Sequence, residues 1–405
     1  MPGLIFDPLI IFTTIAWFIV LGWLVTLALT TYGLFRQQRL LPGEQPPAMA
    51  SDVPLVSVLV PARNEEHRVL NECLESILAQ DYPQFEVIAV NDRSTDATSA
   101  ILQTLANSHK HLSIIEGQAL PTGWLGKPYA MHQALNQARG EWILATDADM
   151  IFETSALRTA LDHTLKQKAE AITLIPHFEA GSFWERVMIP TWTWVFLMYT
   201  VFYRIRDPKT PGAVGIGGFF LVRRAALERI GGYAALRNEV MEDVRLAEML
   251  KRSGARLVTA YAPHLLSTRM YSNFREMWEC STKNWFSGVG FSLPFALLCV
   301  LSMYLISVAP PVVALVSAIG FAAGADLSPL FIPSALSWLL QVLVLAIMSV
   351  RSRVSPFYAL TAPLGLTLQY AMLLDSSLRI TTGKGVTWKG RRLYESGGVS
   401  PPSGT

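Results

Sequence analysis

At 405 residues the chain has room for two or three domains, and its net charge of +2 provides no basic field for a nucleic-acid partner. Hydrophobic residues make up 51% of the chain and charged residues 16%, below the quarter that is usual in soluble domains. The three cysteines (Cys73, Cys280, Cys299) lie far apart, which argues against a disulfide framework and a CxxC zinc site. The composition indicates a membrane protein.

The first predicted element is a transmembrane helix near the N-terminus. Residues 8–35 contain no charge, and this run is longer than the roughly 20 residues that span a bilayer. Arg36 and Arg39 follow directly, so the positive-inside rule places that end of the helix in the cytoplasm. We therefore expect a transmembrane helix over residues 1–36 and a linker over residues 37–51.

Residues 52–290 have the pattern of a cytosolic α/β domain. Short β-rich apolar runs alternate there with helical patterns, and the runs are "LVSVLVPA", "FEVIAVND", "LSIIEG", "WILATDAD" and "AEAITLIPH". This alternation predicts a mostly parallel, Rossmann-like sheet with helices on both faces. Ligands of such sheets bind at the carboxyl ends of the strands. Polar residues that follow these runs are therefore candidates for an active site.

Two aspartates end the fourth of these runs. Burying a carboxylate such as Asp147 or Asp149 costs several kcal/mol unless its charge is compensated. Hard oxygen ligands suit Mg²⁺ or Mn²⁺, and Mg²⁺ is typically held by one or two carboxylates together with substrate phosphates. The pair therefore predicts a metal site that a diphosphate completes.

An apolar, aromatic stretch at residues 183–204 interrupts the α/β pattern. Its uncharged part, "VMIPTWTWVFLMYTVFY", is short for a bilayer span and contains Pro190, and Arg186 and Arg204 flank it. We expect an interfacial helix in the headgroup region, with its tryptophans at the boundary. Such a surface suits a lipid acceptor beside the active site, or else it only docks the domain on the membrane.

Three more uncharged stretches follow, and they predict a transmembrane region at 291–376 and a basic cytosolic tail at 377–405. Arg351 and Arg353, between the last two stretches, also favour the cytoplasm. Both they and the tail can be inside only if the final stretch, with Pro363 near its middle, is re-entrant. Otherwise the stretch that contains Pro310-Pro311 is a tight hairpin of two short helices.

The α/β region resembles the family 2 glycosyltransferases, which have a GT-A fold. The matching segments follow the family's order and are "VSVLVPARNEE", "VIAVNDRSTDAT", "GKPYAMHQALNQARGEWILATDAD", "GGFFLVRRAALERIGGY", "EVMEDVRLAEMLKRSG" and "STKNWFSG". The segments "LPTGWLGKPYA", "TKNWFSG" and "TWKGRRLY" are more specifically similar to the membrane-bound branch that is associated with carotenoids and hopanoids.

The resemblance implies a donor site for a nucleoside-diphosphate sugar. The residues that match the family's donor contacts are Pro61, Glu65, Asp92, Lys127 and Asp147. Asp92 would bind the base, and it matches the second acid of the family's usual pair, while Asn91 replaces the first. Lys127 would face the diphosphate, where a cation offsets phosphate charge. Asp147 would contact the sugar or ribose, and Asp149 would bind the metal.

The resemblance also implies an acceptor side. Asp243 matches the acid that acts as general base, and it lies near a predicted helix start, where the helix dipole favours an ionised carboxylate. Its neighbour Glu242 points about 100° away around the helix and is not expected to share the role. Trp285 is placed on the acceptor side. Ser281 and Asn284 replace Gln and Arg of the family's Gln-x-x-Arg-Trp, which favours a single transfer over polymer synthesis.

These residue types predict an inverting hexosyltransferase. The metal and Lys127 would stabilise the leaving diphosphate, and a carboxylate base would activate the acceptor hydroxyl. A single displacement inverts the configuration of the sugar. The resemblance implies a membrane-lipid acceptor, a carotenoid first and a hopanoid second, in a bacterial cytoplasmic or internal membrane. The alternatives are a processive polysaccharide synthase and a non-catalytic membrane scaffold.

Overall fold

The structure is a computed structural model that describes residues 7–41, 53–205, 207, 210, 212–271, 273–388 and 391–394. Its strands are β1 Val56–Ala62, β2 Phe85–Asn91, β3 Leu112–Glu116, β4 Trp142–Ala145, β5 Met150–Phe152, β6 Ala171–Ile175, β7 His177–Phe178, β8 Phe220–Arg223, β9 Leu257–Tyr261, β10 Leu266–Thr268, β11 Val386–Trp388 and β12 Arg391–Leu393. Its α-helices are α1 Pro8–Arg36, α2 Leu70–Leu78, α3 Thr98–Ser108, α4 Gly126–Gln137, α5 Ala156–Lys166, α6 Phe183–Phe202, α7 Arg224–Arg229, α8 Glu242–Arg252, α9 Phe274–Gly288, α10 Leu293–Met303, α11 Ala309–Ala322, α12 Ser328–Arg351 and α13 Ala362–Thr381.

A seven-stranded sheet forms the centre of the α/β domain, in the order β3-β2-β1-β4-β8-β6-β9. All of its strands run parallel except β8, which pairs antiparallel with β4 and β6. The mostly parallel sheet predicted from the sequence is confirmed. Leu59 in the middle of β1 lies beside Ile88 of β2 and Ala145 of β4, so the carboxyl ends of these three strands meet at one edge.

Helices bury both faces of this sheet, which explains why its strands read as continuous apolar runs. On one face Val58 belongs to a core with Leu74 of α2. On the other face Leu59 packs in a second core with Met131 of α4 and Leu250 of α8. Strand β1 lies between β2 and β4, so the strand order extends first to one side of β1 and later to its other side. Such a switch in strand order is where open α/β sheets bind their ligands.

Four helical segments of the described residues are long and apolar enough to span a bilayer. Three of them, Pro8–Arg36, Leu293–Ala322 and Ser328–Arg351, have mean hydropathies of 2.3, 2.2 and 2.2, whereas Pro356–Thr381 reaches only 1.3. The apolar helices thus flank the α/β domain on both sides in the sequence, as expected, and they associate the chain with a membrane.

The stretch that contains Pro310-Pro311 is one continuous helix and not a hairpin of two short helices. A π-helical turn, Tyr304–Val308, joins α10 to α11 without a break. Proline has no N–H, so Pro310 and Pro311 leave the carbonyls of Ile306 and Ser307 without their usual helical donors. Side chains of neighbouring helices replace those donors: Trp23 Nε1 donates to Ile306 O at 3.0 Å and Gln341 Nε2 donates to Ser307 O at 3.1 Å.

Helix α6 covers the stretch for which the sequence predicts an interfacial helix. A capping box fixes its start, because the Ser182 hydroxyl accepts from the amide of Glu185 while the Glu185 carboxylate accepts from the amide of Ser182. Further along, Trp194 stacks on Trp23 of α1 with ring centroids 5.8 Å apart. The helix therefore packs against the apolar helices as well as the α/β domain, and its position in the headgroup region stays a prediction.

Candidate active site

The first two strand ends carry the residues expected to form the nucleotide pocket. Pro61 lies near the end of β1, Glu65 lies in the loop after that strand, and Asp92 follows β2 directly. Asn64 and Arg93 have positive φ angles of 51° and 54°, an uncommon conformation for residues other than glycine. Backbone strain of this kind tends to gather at functional sites, where the surrounding structure holds it in place. Both loops therefore turn sharply just after β1 and β2.

Charged and amide side chains hold the two loops together. The Arg93 guanidinium pairs with the Asp92 carboxylate at 2.7 Å, while Arg63 Nη1 donates to the Asp92 carbonyl at 2.7 Å. Asn91, which replaces the first acid of the family's pair, donates to Glu116 of β3 at 2.6 Å. Asn91 thus ties β2 to β3.

The centre of the site is an ionic cluster around Lys127 at the start of α4. Its ammonium nitrogen lies 2.6 Å from Asp147 Oδ1 and 2.6 Å from Glu242 Oε1. Burial disfavours the charged ammonium, but the charges of Asp147, Glu242 and Asp243 outweigh that effect and raise the pKa of Lys127 well above its ordinary value. Lys127 is therefore a fixed cation on the side of the site where a diphosphate is expected.

Asp243, the expected general base, joins this cluster from the first turn of α8. Its Oδ2 accepts a hydrogen bond from the Gly217 amide at 2.7 Å, and its Oδ1 accepts from the Val244 amide at 2.8 Å. Desolvation and the adjacent charge of Glu242 raise the pKa of Asp243 to about 6, although Lys127 acts in the opposite direction. The helix dipole alone predicts an acid that stays ionised, and the structure gives one that can exchange a proton near neutral pH.

The backbone next to Asp243 has to be glycine. A Cβ on Gly217 would lie 2.9 Å from Lys127 Nζ and 3.1 Å from Asp147 Oδ2. A Cβ on Gly215 would lie 1.9 Å from the backbone oxygen of Asp243, which no rotamer change can relieve. Gly215 is therefore required by the close approach of the two backbones, whereas a side chain at Gly217 would displace the tips of Lys127 and Asp147.

Asp149, the expected metal ligand, faces a cation of the protein itself. Arg68 Nη1 lies 3.5 Å from Asp149 Oδ2 and Arg68 Nε lies 3.9 Å from Glu65 Oε2. The same guanidinium also pairs with Glu276 near the start of α9. A positive charge thus compensates Asp149 at the position where the sequence predicts a divalent cation.

The donor set at Asp149 fits a metal that shares its ligands with a substrate. Among the described residues no group of three or more histidine, cysteine, aspartate or glutamate side chains is arranged to hold an ion. Mg²⁺ commonly uses one or two protein carboxylates and takes its other ligands from phosphate oxygens and water. Asp149 at a strand end next to the expected diphosphate matches this pattern.

Trp285, placed on the acceptor side by the sequence, lies on α9 between two apolar clusters. It packs against Met188 of α6, Met277 and Met372 on one side, and against the cluster of Phe286 on the other. Trp285 thus stands where the α/β domain meets the apolar helices. The structure does not bring it into contact with the Lys127 cluster.

Sequence reasoning missed three residues of the site. Glu242 is not expected to share the role of Asp243, and the structure places its carboxylate on Lys127 in the same cluster. The sequence feature that could have indicated Glu242 is its position directly before Asp243 in "MEDVRL". Arg68 and Glu276 are far apart in the sequence, and no local pattern indicates that they pair.

Comparison with known proteins shows what the α/β domain is similar to. Residues 57–231 match the model of the family "Glycosyl transferase family 2". The chain is 31% identical over 175 residues to a beta-monoglucosyldiacylglycerol synthase of Synechocystis, which is 41% of this chain and 36% of that protein. It is 30% identical over 188 residues to the synthase of the same name from Nostoc, or 45% of this chain and 38% of that protein. The match thus spans well under half the length of these relatives.

A solved structure is similar over nearly the whole chain. It is a mannosyltransferase from Pyrobaculum calidifontis in complex with GDP-Man and Mn²⁺, with a TM-score of 0.52 and 20% sequence identity. The similarity covers 91% of this chain and 98% of that one. At this level of identity it establishes the shared fold, which extends from the α/β domain into the apolar helices.

Proposed function

We propose that this chain, whose residues 57–231 match the model of the family "Glycosyl transferase family 2", transfers one sugar from a nucleoside-diphosphate sugar to a hydroxyl group of a membrane lipid. The observation that carries the proposal is the cluster of Lys127, Asp147 and Asp243 at the carboxyl ends of the strands. It combines a fixed cation with a carboxylate that can accept a proton. A non-catalytic scaffold has no need for such a cluster.

The donor side is assigned to the loops after β1 and β2. Pro61 and Glu65 would shape the nucleotide pocket, and Asp92 would bind the base. The ammonium group of Lys127 would donate a hydrogen bond to the diphosphate. Its positive charge would counter the negative charge that grows on the leaving group. Asp149 would hold Mg²⁺ or Mn²⁺ there, whose charge offsets that of the phosphates.

The acceptor side is assigned to Asp243. Its hydrogen bond from the Gly217 amide fixes the carboxylate, and its raised pKa suits a group that takes a proton from a hydroxyl near neutral pH. The oxygen would then attack the anomeric carbon on the face opposite the diphosphate. A single displacement of this kind inverts the sugar's configuration.

The surroundings of the site support an acceptor that reaches it from the bilayer. Helix α9 carries Glu276, which pairs with Arg68 beside Asp149, and also Met277 and Trp285, which pack with Met188 of α6. One helix thus extends from the donor loops to the apolar helices. A water-soluble acceptor would not require this continuity.

We further propose that the α/β domain lies in the cytosol, where sugar nucleotides are made. Arg36 and Arg39 follow the first span and favour that side. For the acceptor, the motifs "LPTGWLGKPYA" and "TWKGRRLY" favour a carotenoid first and a hopanoid second. The names of the two relatives make diacylglycerol the competing candidate.

A transfer assay on the purified chain in lipid nanodiscs tests this proposal. Radiolabelled UDP- and GDP-hexoses would be supplied with a hydroxylated carotenoid, a hopanoid with free hydroxyls or diacylglycerol. We expect one labelled glycolipid that carries a single sugar, and none from the Asp243→Asn variant. A polymer of many sugars, or no glycolipid with any of the three acceptors, would contradict the proposal.

A further inference from the structure

We infer that α13 lies along the surface of the membrane and does not cross it, so that the C-terminal hairpin of β11 and β12 is on the same side as the catalytic domain. The described part of the chain then crosses the bilayer three times, through α1, the continuous α10–α11 helix and α12. This inference concerns the path of the chain and does not depend on the proposed reaction.

The segment that leads into α13 is held at the catalytic domain. The Arg351 guanidinium at the end of α12 stacks 3.8 Å above the ring of Tyr261 in β9. Two residues on, Arg353 reaches the carbonyl of Pro263 and the ring of His264, which follow the same strand. The ring of Tyr358 then contacts Phe183 at the start of α6. The chain therefore enters α13 from the catalytic side of the bilayer.

The middle of α13 stays against the same domain. Gln369 Nε2 donates to Thr191 Oγ1 of α6 at 2.6 Å. Two turns later the indole N–H of Trp278 in α9 donates to Asp375 Oδ2 at 2.7 Å. A helix of 20 residues is about 30 Å long, as long as the hydrocarbon core is thick. If α13 crossed the bilayer, its second half would leave α9 behind.

The end of α13 also contacts the catalytic domain. Ser376 accepts a hydrogen bond from the Phe286 amide at 3.2 Å and donates to the carbonyl of Thr282, both in α9. Trp388 in β11, which follows α13, has its ring centroid 4.6 Å from the ammonium group of Lys283 in α9. Since both ends of α13 touch one domain, the two ends lie on one side of the membrane.

One face of α13 is exposed and apolar, as suits contact with lipid, and the opposite face is buried in the protein. Leu364 and Leu378 of α13 are exposed apolar residues whose separation, a multiple of seven residues, puts them on one stripe of the helix. The opposite face is buried against α6, α9 and the apolar helices α1 and α12, and it carries Gln369 and the serines of its last turns. A helix that is apolar on one face and lies in the headgroup plane buries that face in the bilayer boundary.

The path of α13 also explains the hairpin that follows it. The aromatic ring of Tyr394 packs on Phe291 with centroids 5.5 Å apart, in the cluster against which Val240 also packs. Val240 precedes Asp243 by three residues. Strands β11 and β12 thus lie beside the segment that leads into α8, on the side of the catalytic domain.

Site-directed labelling in sealed vesicles of known orientation tests the inference. In a background of Cys73→Ser, Cys280→Ser and Cys299→Ser, single cysteines would be placed at exposed positions and treated with a membrane-impermeant maleimide. Asn107→Cys reports the catalytic domain, Ala325→Cys the loop between α11 and α12, and Thr387→Cys the hairpin. We expect Thr387→Cys to be labelled from the same side as Asn107→Cys and from the side opposite to Ala325→Cys.

Labelling of Thr387→Cys together with Ala325→Cys would show four crossings and overturn the inference. The comparison is internal, so it holds whichever side the catalytic domain occupies. If the cysteine-free background does not fold, protease protection of an affinity tag after Thr405 in the otherwise unchanged chain decides the question. The tag must be cleaved from the side on which the catalytic domain is cleaved, and cleavage from the other side again overturns the inference.

Discussion

At the scale of single residues, the site depends on how a few carboxylates share the cations near them. Asp147 and Glu242 both bind Lys127, so Asp243 next to them is left with amide donors from Gly217 and Val244. The charges of Asp147 and Glu242 are thus compensated by Lys127, whereas Asp243 is an acid with a raised pKa. Different environments of this kind are how one fold assigns distinct roles to neighbouring acids.

Replacing Asp243 by asparagine should remove the general base and keep the shape of the side chain. We expect the transfer rate to fall about a hundredfold or more, the lower range for loss of a general base, with little change in donor affinity. Single-turnover transfer and donor titration would measure the two quantities separately. Glu248→Gln, which alters an acid of the same helix on the side of Arg245, is the matched control. A loss of donor binding equal to the loss of rate would contradict the assignment.

The pH dependence of transfer should have an acid limb set by Asp243. A base must be deprotonated, and the pKa of Asp243 is raised to about 6, so the rate should drop about tenfold per pH unit below that value. The charged groups that face it are Glu242, Lys127 and Asp147, and the buried hydroxyl of Tyr233 lies nearby. Because Lys127 lowers this pKa, Lys127→Met should move the limb to higher pH. A limb that stays in place in the variant would refute the coupling.

Asp149 should be required for the divalent cation. We expect Asp149→Asn to abolish transfer and to weaken Mn²⁺ binding measured by electron paramagnetic resonance in the presence of a nucleoside diphosphate. The variant should still fold, because Arg68 keeps its other partners Glu65 and Glu276. Full activity of the unaltered chain in excess EDTA would rule out the metal requirement.

At the scale of elements, the sequence predicts what depends on local patterns and misses what depends on distant contacts. Strand runs and apolar stretches fixed the positions of β1, β2 and α1, because periodicity and length are local properties. The pairing of Arg68 with Glu276 joins residues far apart in the chain. The helix that continues through Pro310-Pro311 likewise depends on hydrogen-bond donors from α1 and α12. The sequence of that stretch alone does not indicate these donors.

The two donors to this proline region should stabilise the apolar helix bundle. Gln341→Leu removes the hydrogen bond to Ser307 and leaves that carbonyl buried without it. Hydrogen bonds between membrane helices average about 0.6 kcal/mol and reach about 1.7 kcal/mol, so we expect a destabilisation in that range, visible as a lower Tm in detergent. Trp338→Phe on the same helix is the control. Equal melting of Gln341→Leu and the unaltered chain would contradict this role.

At the scale of the whole molecule, the catalytic domain and the apolar helices form one body built around α9. This helix pairs with the donor loop through Glu276 and with α13 through Trp278 and the backbone at Thr282. The sequence indicated a domain held at a membrane but left the number of crossings open. Charge bias alone was consistent with two arrangements. The continuous helix through Pro310-Pro311 excludes the hairpin, and the contacts at both ends of α13 support the other arrangement.

The anomeric configuration of the product tests the central claim most directly. The claim is that one carboxylate, Asp243, activates a lipid hydroxyl opposite a leaving diphosphate, so the bond to the sugar breaks once. With an α-linked nucleotide sugar as donor, the isolated glycolipid should carry a β-linkage, which the coupling constant of the anomeric proton reports. An α-linked product would contradict the account, since it requires two displacements or attack from the side of the leaving group.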